Sequence, residues 1–162
     1  MLCLSLVLCV ASPLGGRYEP MGKTMVVDKE YMKGLLEAVQ SSDKPTTDIK
    51  ELEHQGFSYK DDKFIFHTDI LIDKGYIESL GSFRGCGYQI SGNNKIEWKI
   101  VPIRLTASGH EFIESLNEPD VWDTIQSNFK EASLETLAVV AKDLAIGFAK
   151  QKVKALLESA GS

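Results

Sequence analysis

The residues of this 162-residue chain that are best suited to chemistry are three histidines and three cysteines. His54, His67 and His110 stand far apart, and none lies in an HExxH pattern or beside a cysteine pair, the spacings that build zinc sites. Cys86 lies between two glycines, with neither a base nor an electropositive setting evident to activate its thiol. We therefore expect structural roles for these four residues, and we expect no metal and no other cofactor.

Sequence patterns for nucleotide binding or acyl transfer are missing as well. The chain holds no GxSxG, GxxxxGK[ST] or GxGxxG pattern, and its acidic residues are spread along helix faces without a conspicuous carboxylate pair. The glycine-rich segment 81–87 lies between predicted strands and lacks the following helix N-terminus that phosphate-binding loops use. These observations predict that the protein is not an enzyme and has no small-molecule substrate.

The composition is that of one soluble globular domain with a short appendage: 43% of the residues are hydrophobic and 25% are charged. A chain of this length buries enough surface to fold without disulfides or metals. Its net charge of −5 argues against a general polyanion binder. Because the chain beyond its first ten residues holds a single cysteine, a reducing compartment is favoured, and we expect a cytoplasmic protein.

The first 24 residues differ from the rest. Residues 1–14 form an apolar, uncharged segment that is too short for a membrane-spanning helix. A signal peptide would require a Lys or Arg near its start, but none precedes Arg17. Three interpretations stay open for residues 1–24: an extended gene start with the natural chain beginning at Met21 or Met25, an export signal, or an ordered extension. The first is favoured, and no membrane span is expected.

The body of the chain alternates helix and strand signals. Asp28 is a natural N-cap for a first helix, Gly75 stops a second, and residues 46–58 fit either a short strand or a short helix. A β-hairpin is predicted from 88–90 and 95–105 around a Gly92-Asn93 turn, with Pro102 interrupting its second arm. The helices are expected at 28–41, 61–74, 106–117, from Pro119 onward, and 133–159. This order predicts an α+β fold: a winged helix-turn-helix-like domain at 25–117 with a β-hairpin wing, and a C-terminal helical extension at 118–162.

A winged helix commonly reads DNA with the helix before the wing, but here that helix is acidic. It holds four aspartates, at 61, 62, 69 and 73, against two lysines, at 63 and 74, so it would repel phosphate. Basic residues are present in and around the wing instead. We therefore name as candidate nucleic-acid contacts Arg84, Lys95, Lys99 and Arg104.

The helix at 133–159 is apolar around more than half of its circumference, more than one core-facing stripe requires. One stripe, formed by Leu137, Leu144 and Phe148, can pack on its own domain. A second stripe is the candidate oligomer interface of a twofold dimer, and it consists of Val139, Ile146, Val153 and Leu157. The alternative is that the short helix around Trp122 and the N-terminal segment cover this second stripe within one chain.

Several of these segments occur in an order that resembles a known family. They are residues 66–78, the run Arg-Leu-Thr-x-x-Gly-His-Glu-Phe that begins at Arg104, Val121-Trp122, and the helix from Ser133. Over roughly residues 25–157 the chain resembles the bacterial and phage family catalogued as domain of unknown function 2513. The resemblance implies a winged-helix module followed by helices, and it supplies no reaction and no ligand.

Two functions are compatible with these observations. The first is a non-enzymatic regulator of the winged-helix type that acts as an oligomer on DNA. The second is a protein-interaction module, such as a phage- or defence-related adaptor or inhibitor, that uses the same framework without binding DNA. Salt-dependent DNA binding would separate the two, since phosphate contacts make affinity fall with salt.

Overall fold

The computed structural model describes residues 25–161, so the interpretations of residues 1–24 fall outside the described residues. Within the described part the chain is α+β, as predicted, with six helices and two small antiparallel sheets. The helices are α1 (Lys29–Gln40), α2 (Ile49–His54), α3 (Asp62–Asp73), α4 (Ala107–Asn117), α5 (Pro119–Asn128) and α6 (Leu134–Ala160). The strands are β1 (Ile77–Ser79), β2 (Tyr88–Ile90), β3 (Ile96–Trp98) and β4 (Ile103–Leu105).

Side-chain caps set the starts of four helices, α1, α2, α4 and α6. The carboxylate of Asp28 accepts the Tyr31 amide at 3.0 Å, and the Thr106 hydroxyl accepts the Gly109 amide at 3.0 Å. Ser133 caps α6 in the same way, through the Thr136 amide at 3.2 Å. Each cap satisfies an amide that the first turn of a helix leaves without a partner. At the C-terminal end of α3, Gly75 adopts a φ of +72°, a conformation that favours glycine and ends the helix.

The first sheet joins β1 to β4, with Ile77 opposite Leu105 and Ser79 opposite Ile103. Thr47 adds a third segment, because its amide and carbonyl both bond to Ile103, at 2.8 Å each. The ambiguous segment 46–58 therefore contains both predicted alternatives, an extended residue at Thr47 and the short helix α2. Helix α1 packs against β4 and α4, and the apolar side chains of this sheet lie in the core.

The second sheet is the hairpin of β2 and β3, with Tyr88 opposite Trp98 and Ile90 opposite Ile96. The prediction that one hairpin arm runs to residue 105 is wrong, because the chain leaves the hairpin after Trp98 and β4 pairs with β1 instead. The change falls near Pro102, which has no amide to donate to a ladder and whose carbonyl accepts the Leu80 amide at 2.8 Å. The turn is closed by the Asn94 amide on the Ser91 carbonyl at 2.9 Å.

The positive φ that this turn needs is supplied by Asn94, at +55°, rather than by Gly92. The predicted Gly92-Asn93 pair does occupy the two central positions between Ser91 and Asn94. Asparagine tolerates the left-handed region better than most residues because its short polar side chain bonds locally. The location of the turn was therefore predicted correctly.

The C-terminal helices α5 and α6 pack against α4. Leu137 of α6 is fully buried, and Leu144 and Phe148 are half-buried against the core, as the first predicted stripe requires. From Ala149 to Gly161 every residue is exposed, so the last three turns of α6 extend beyond the other described residues. No helix within residues 25–161 has the length and apolar character to cross a membrane.

Candidate interaction surfaces

Aromatic side chains anchor the hairpin to α3 at one end. The Trp98 ring lies 5.1 Å from Tyr59 and 6.3 Å from Phe64, and Tyr88 packs beside it at 5.6 Å. The Tyr88 hydroxyl also donates a short hydrogen bond to the Asp69 carboxylate. Burial raises the pKa of Asp69 above its ordinary value, although this hydrogen bond partly opposes the shift. The base of the hairpin is therefore fixed by both apolar and polar contacts.

The other end of the hairpin is exposed and apolar. Ile90 and Ile96 form a cross-strand pair beyond Tyr88 and Trp98, and they are 62% and 43% exposed. Leu80 and Ile100, in the segments that lead into and out of the hairpin, are exposed as well. We call Ile90 and Ile96 the hairpin pair. The sequence placed Ile96, Trp98 and Ile100 on one face, but only Trp98 is shielded, because the aromatic residues it meets lie at the base of the hairpin.

The four basic residues predicted as nucleic-acid contacts do not lie on one element. Arg84 is exposed and borders a small cleft that also contains Asp69 and Asp73. Lys95 is exposed at the hairpin turn, and the Lys99 ammonium lies 4.8 Å from the Phe83 ring centre. Arg104 belongs to the first sheet, where it forms an ion pair with Glu78. Three of the four therefore surround the hairpin, and the fourth already has a carboxylate partner.

The outer surface of α3 is acidic. Asp62 and Asp73 are exposed, and both lysines of this segment have acidic partners: Lys63 with Asp28 at 2.6 Å, and Lys74 with Glu135 at 3.4 Å. The positive charges next to the aspartates are thus partly compensated by carboxylates outside α3. This helix does not offer phosphate the positive surface that DNA recognition uses.

His67 is buried and joins α3 to the start of α1. Its Nε2 atom accepts the Asp28 amide at 2.8 Å, and its Nδ1 atom lies 2.7 Å from the Lys63 carbonyl oxygen. Since an amide must donate and a carbonyl must accept, the ring is neutral with its proton on Nδ1. Burial lowers the pKa of His67, which favours this neutral form. The role of His67 in the described contacts is structural, and no residue pattern in the sequence indicated its Asp28 partner.

The remaining reactive residue types of the described chain are Cys86, His54 and His110, and they have different surroundings. The Cys86 thiol is completely buried, and burial raises its pKa to about 12, so it is not a thiolate at neutral pH. His54 and His110 are exposed on the surfaces of α2 and α4. Among residues 25–161 no group of three or more His, Cys, Asp or Glu side chains is placed to hold a metal ion.

The outward row of α6 consists of the four residues named as the candidate oligomer interface. Val139, Ile146, Val153 and Leu157 are 57%, 44%, 55% and 69% exposed. The α5 helix does not cover them, because Trp122 packs against the core, with the Lys33 ammonium 5.5 Å from its ring centre. Among the described residues, nothing buries this row.

A groove of about 610 Å³ runs between α4 and α6, beside this row. Its apolar lining includes Tyr76 and Phe112, whose rings stack at 4.7 Å, and Ile146 of the outward row. Its acidic lining comes from the α4 side and consists of Glu111, Glu114 and Glu118. Lys142 of α6 is also part of the lining and lies 4.0 Å from Glu111. The groove thus combines an apolar floor with a mainly acidic rim.

Comparison with known proteins gives one match. The family model described as hypothetical protein (DUF2513) matches residues 27–135, from just before the Asp28 cap to the first turn of α6. None of the curated proteins and none of the solved structures searched matches the chain. The match covers well over half of the chain and confirms the resemblance drawn from residues 66–78 and the run after Arg104. The chain therefore belongs to the DUF2513 family.

Proposed function

We propose that this protein is a non-enzymatic interaction module with a winged-helix framework that acts as an oligomer and binds another protein through its hairpin. The order of elements supports the framework: α1, the extended residue Thr47, α2, α3, β1, the hairpin and β4 follow one another as in a winged helix. In this arrangement the β2–β3 hairpin corresponds to the wing, and α3 to the helix that precedes it.

The observation that carries the proposal is the hairpin pair. Ile90 and Ile96 extend an apolar face from the half-buried Trp98 into solvent, and burying such area is worth roughly 25 cal/mol per Å² before association costs. Because the base of the hairpin is already fixed on α3, less conformational entropy is lost when its end binds. An exposed apolar patch on an anchored element is typical of a protein-binding surface.

The charge distribution also favours a protein partner over DNA. The aspartates of α3 lie where a winged-helix DNA reader would place its base-contacting residues, and its lysines are engaged with Asp28 and Glu135. A basic or apolar protein surface is compatible with this face, whereas a phosphate backbone is not.

A capture experiment from cells of the organism that encodes the chain tests the proposal, with bound protein and bound nucleic acid both analysed. The captured protein is then purified and titrated against the intact chain. We expect Ile90→Asp with Ile96→Asp to raise the Kd of this complex by tenfold or more, as loss of a central apolar contact does. The control is Gln89→Asp, which adds one negative charge on the opposite face of β2. Equal affinity for the hairpin variant and the intact chain would contradict the proposal.

A DNA-binding regulator is the second candidate, and one observation favours it. Within the described part of the chain, no carboxylate lies within ion-pair distance of Arg84, Lys95 or Lys99, so these cations around the hairpin are available. The test is retardation of genomic fragments at about 50 mM salt. Retardation that is lost when all three residues become Ala would favour DNA over protein as the partner. No retardation of any fragment would remove this candidate.

A further inference from the structure

Three of the four residues in the outward row of α6 have a symmetric spacing. Val139, Ile146 and Val153 recur at intervals of seven residues, and seven residues make almost two helical turns, so the three side chains lie in line. Reversing the direction of the helix about Ile146 exchanges Val139 with Val153 and returns the same three positions, whereas Leu157 would lie opposite Glu135. These three residues are therefore complementary to a reversed copy of themselves.

Charge divides the chain at the point where α6 leaves the body. Residues 25–149 carry 13 basic and 21 acidic residues, a net of −8. Residues 150–161 carry three lysines and one glutamate, a net of +2, and all of them are exposed. The positive arm of one chain is thus complementary to the negative body of another, which identifies a second copy of this chain as the occupant of the row.

We propose that α6 binds α6 of a second copy in the antiparallel direction, about a twofold axis at Ile146. Val139 of each chain then packs on Val153 of the other, and the two Ile146 side chains meet at the axis. This arrangement rests on the oligomeric form in the proposed function and specifies its geometry. It also places the positive arm of each chain along the negative body of its partner, whereas a parallel pair would place the two arms side by side.

The same geometry pairs charges on one side of the row. Asp143 lies three residues before Ile146 and Lys150 four residues after it, on the same side of the helix. In an antiparallel pair, Lys150 of one chain therefore lies beside Asp143 of the other, and the contact occurs twice. Both side chains are exposed, and neither has an ion-pair partner among residues 25–161.

On the other side of the row, the second copy meets the α4–α6 groove. Leu156 and Lys152 lie on the flank of α6 that turns toward this groove when the helix is reversed. Leu156 is 62% exposed in the single chain and would cover the apolar floor near Tyr76. Lys152 of the second copy would then approach Glu111 on the acidic rim. The antiparallel register thus uses the row, the charged flank and the groove together.

Disulfide cross-linking tests the direction of the pair in the full chain. Val139→Cys and Val153→Cys are introduced separately, with Cys3→Ser and Cys9→Ser in both proteins so that the buried Cys86 is the other remaining thiol. We expect mild oxidation to link the two proteins when they are mixed, and to link neither with itself. Linkage of the Val139→Cys protein to itself would overturn the antiparallel arrangement and leave an oligomer intact.

A charge exchange tests the register. Sedimentation of the intact chain at micromolar concentration should give a dimer, and Lys150→Asp or Asp143→Lys should each weaken the dimer Kd by about tenfold, since each change affects two contacts. The combined variant should restore it. Because the two residues are seven positions apart on one helix, restoration reports contact between chains rather than within one.

Helix content measured by circular dichroism verifies that each variant is folded. Failure of the combined variant to restore the dimer would overturn the proposed register. A folded monomer of 17.9 kDa at all concentrations would overturn both the antiparallel pair and the oligomeric part of the proposed function.

Discussion

The two sheets are built from strands of equal length, three residues each, but they have different surroundings. In the first sheet Ile77, Ile103 and Leu105 are almost completely buried, and Thr47 adds a third paired segment. In the second sheet only the Tyr88–Trp98 end is packed, and the Ile90–Ile96 end is exposed. The difference indicates that the first sheet stabilises the body, whereas the second leaves the hairpin pair exposed, as the proposed interaction requires.

The largest effect should come from the centre of the first sheet. Ile103→Ala should lower the free energy of unfolding by about 3 kcal/mol, because the side chain is fully buried and leaves a cavity between β4 and α1. Ile103→Val is the matched control and should cost about 1 kcal/mol. Urea denaturation followed by circular dichroism measures both. A loss below about 1 kcal/mol for the Ala variant would remove the contrast between the sheets.

A smaller effect should follow from Gly87→Ala, at the base of the hairpin. Gly87 has a φ of +104°, and a Cβ atom there would lie 2.3 Å from the Lys99 carbonyl oxygen. We expect a loss of about 2 kcal/mol and a change in Trp98 fluorescence as the hairpin is displaced, with helix content retained. Gly92→Ala is the control, since no atom lies within 4 Å of a Cβ there, and it should leave both measurements nearly unchanged.

The pH dependence of stability should be centred on His67, in the helix that supports both sheets. Because burial lowers the folded-state pKa of His67 below the ordinary 6.5, the unfolded chain binds more protons than the folded chain as pH falls through 6.5. Stability contributed by His67 is therefore fully present above pH 6.5 and decreases below it. Urea unfolding at pH 7 and at lower pH values measures this loss.

His67→Gln is the control for the pH experiment, because glutamine keeps a donor and an acceptor but does not titrate. The difference in stability between the intact chain and this variant at each pH isolates the contribution of His67 from that of the carboxylates. The carboxylates contribute as well, because folding lowers the pKa of Asp28 and raises that of Asp69. An identical pH profile for the two proteins would show that folding does not change the pKa of His67, which would contradict this prediction.

The smallest effect should come from the hairpin pair. Ile90→Ser with Ile96→Ser should change the free energy of unfolding by less than about 0.5 kcal/mol, because both side chains are exposed and little packing is lost. Thermal unfolding compares this variant with the intact chain. A loss above 1 kcal/mol would show that the pair stabilises the fold and would weaken its assignment as a binding surface.

Local features of the fold could be predicted from the sequence, whereas long-range choices could not. The cap at Asp28 and the stop at Gly75 depend on a few neighbouring residues, so their residue types were sufficient to predict them. The assignment of residues 103–105 to β1 rather than to the hairpin depends on a partner about 26 positions earlier, and alternation along the strand is the same for both pairings.

The candidate surfaces were predictable to different degrees. The exposure of the outward row of α6 could be predicted from the helical period, because one apolar stripe is enough to pack on the core and a second stripe is left over. The exposure of the hairpin pair did not follow from the sequence, since alternation along a strand does not show where the packed part of the hairpin ends. The link between His67 and the Asp28 amide was also missed, because a backbone amide carries no residue-specific signal in the sequence.

The contact between Lys29 and the end of α5 has a consequence for the order in which the protein is made. The Lys29 ammonium donates to the carbonyls of Phe129, at 2.7 Å, and of Lys130, about one hundred residues later in the chain. Helix α1 also needs β4 and α4 to cover Leu35 and Leu36. During synthesis these leucines therefore stay without their final partners until most of the chain has left the ribosome. Contacts between elements this far apart in the sequence form late in folding, because the long intervening chain must first bring its ends together.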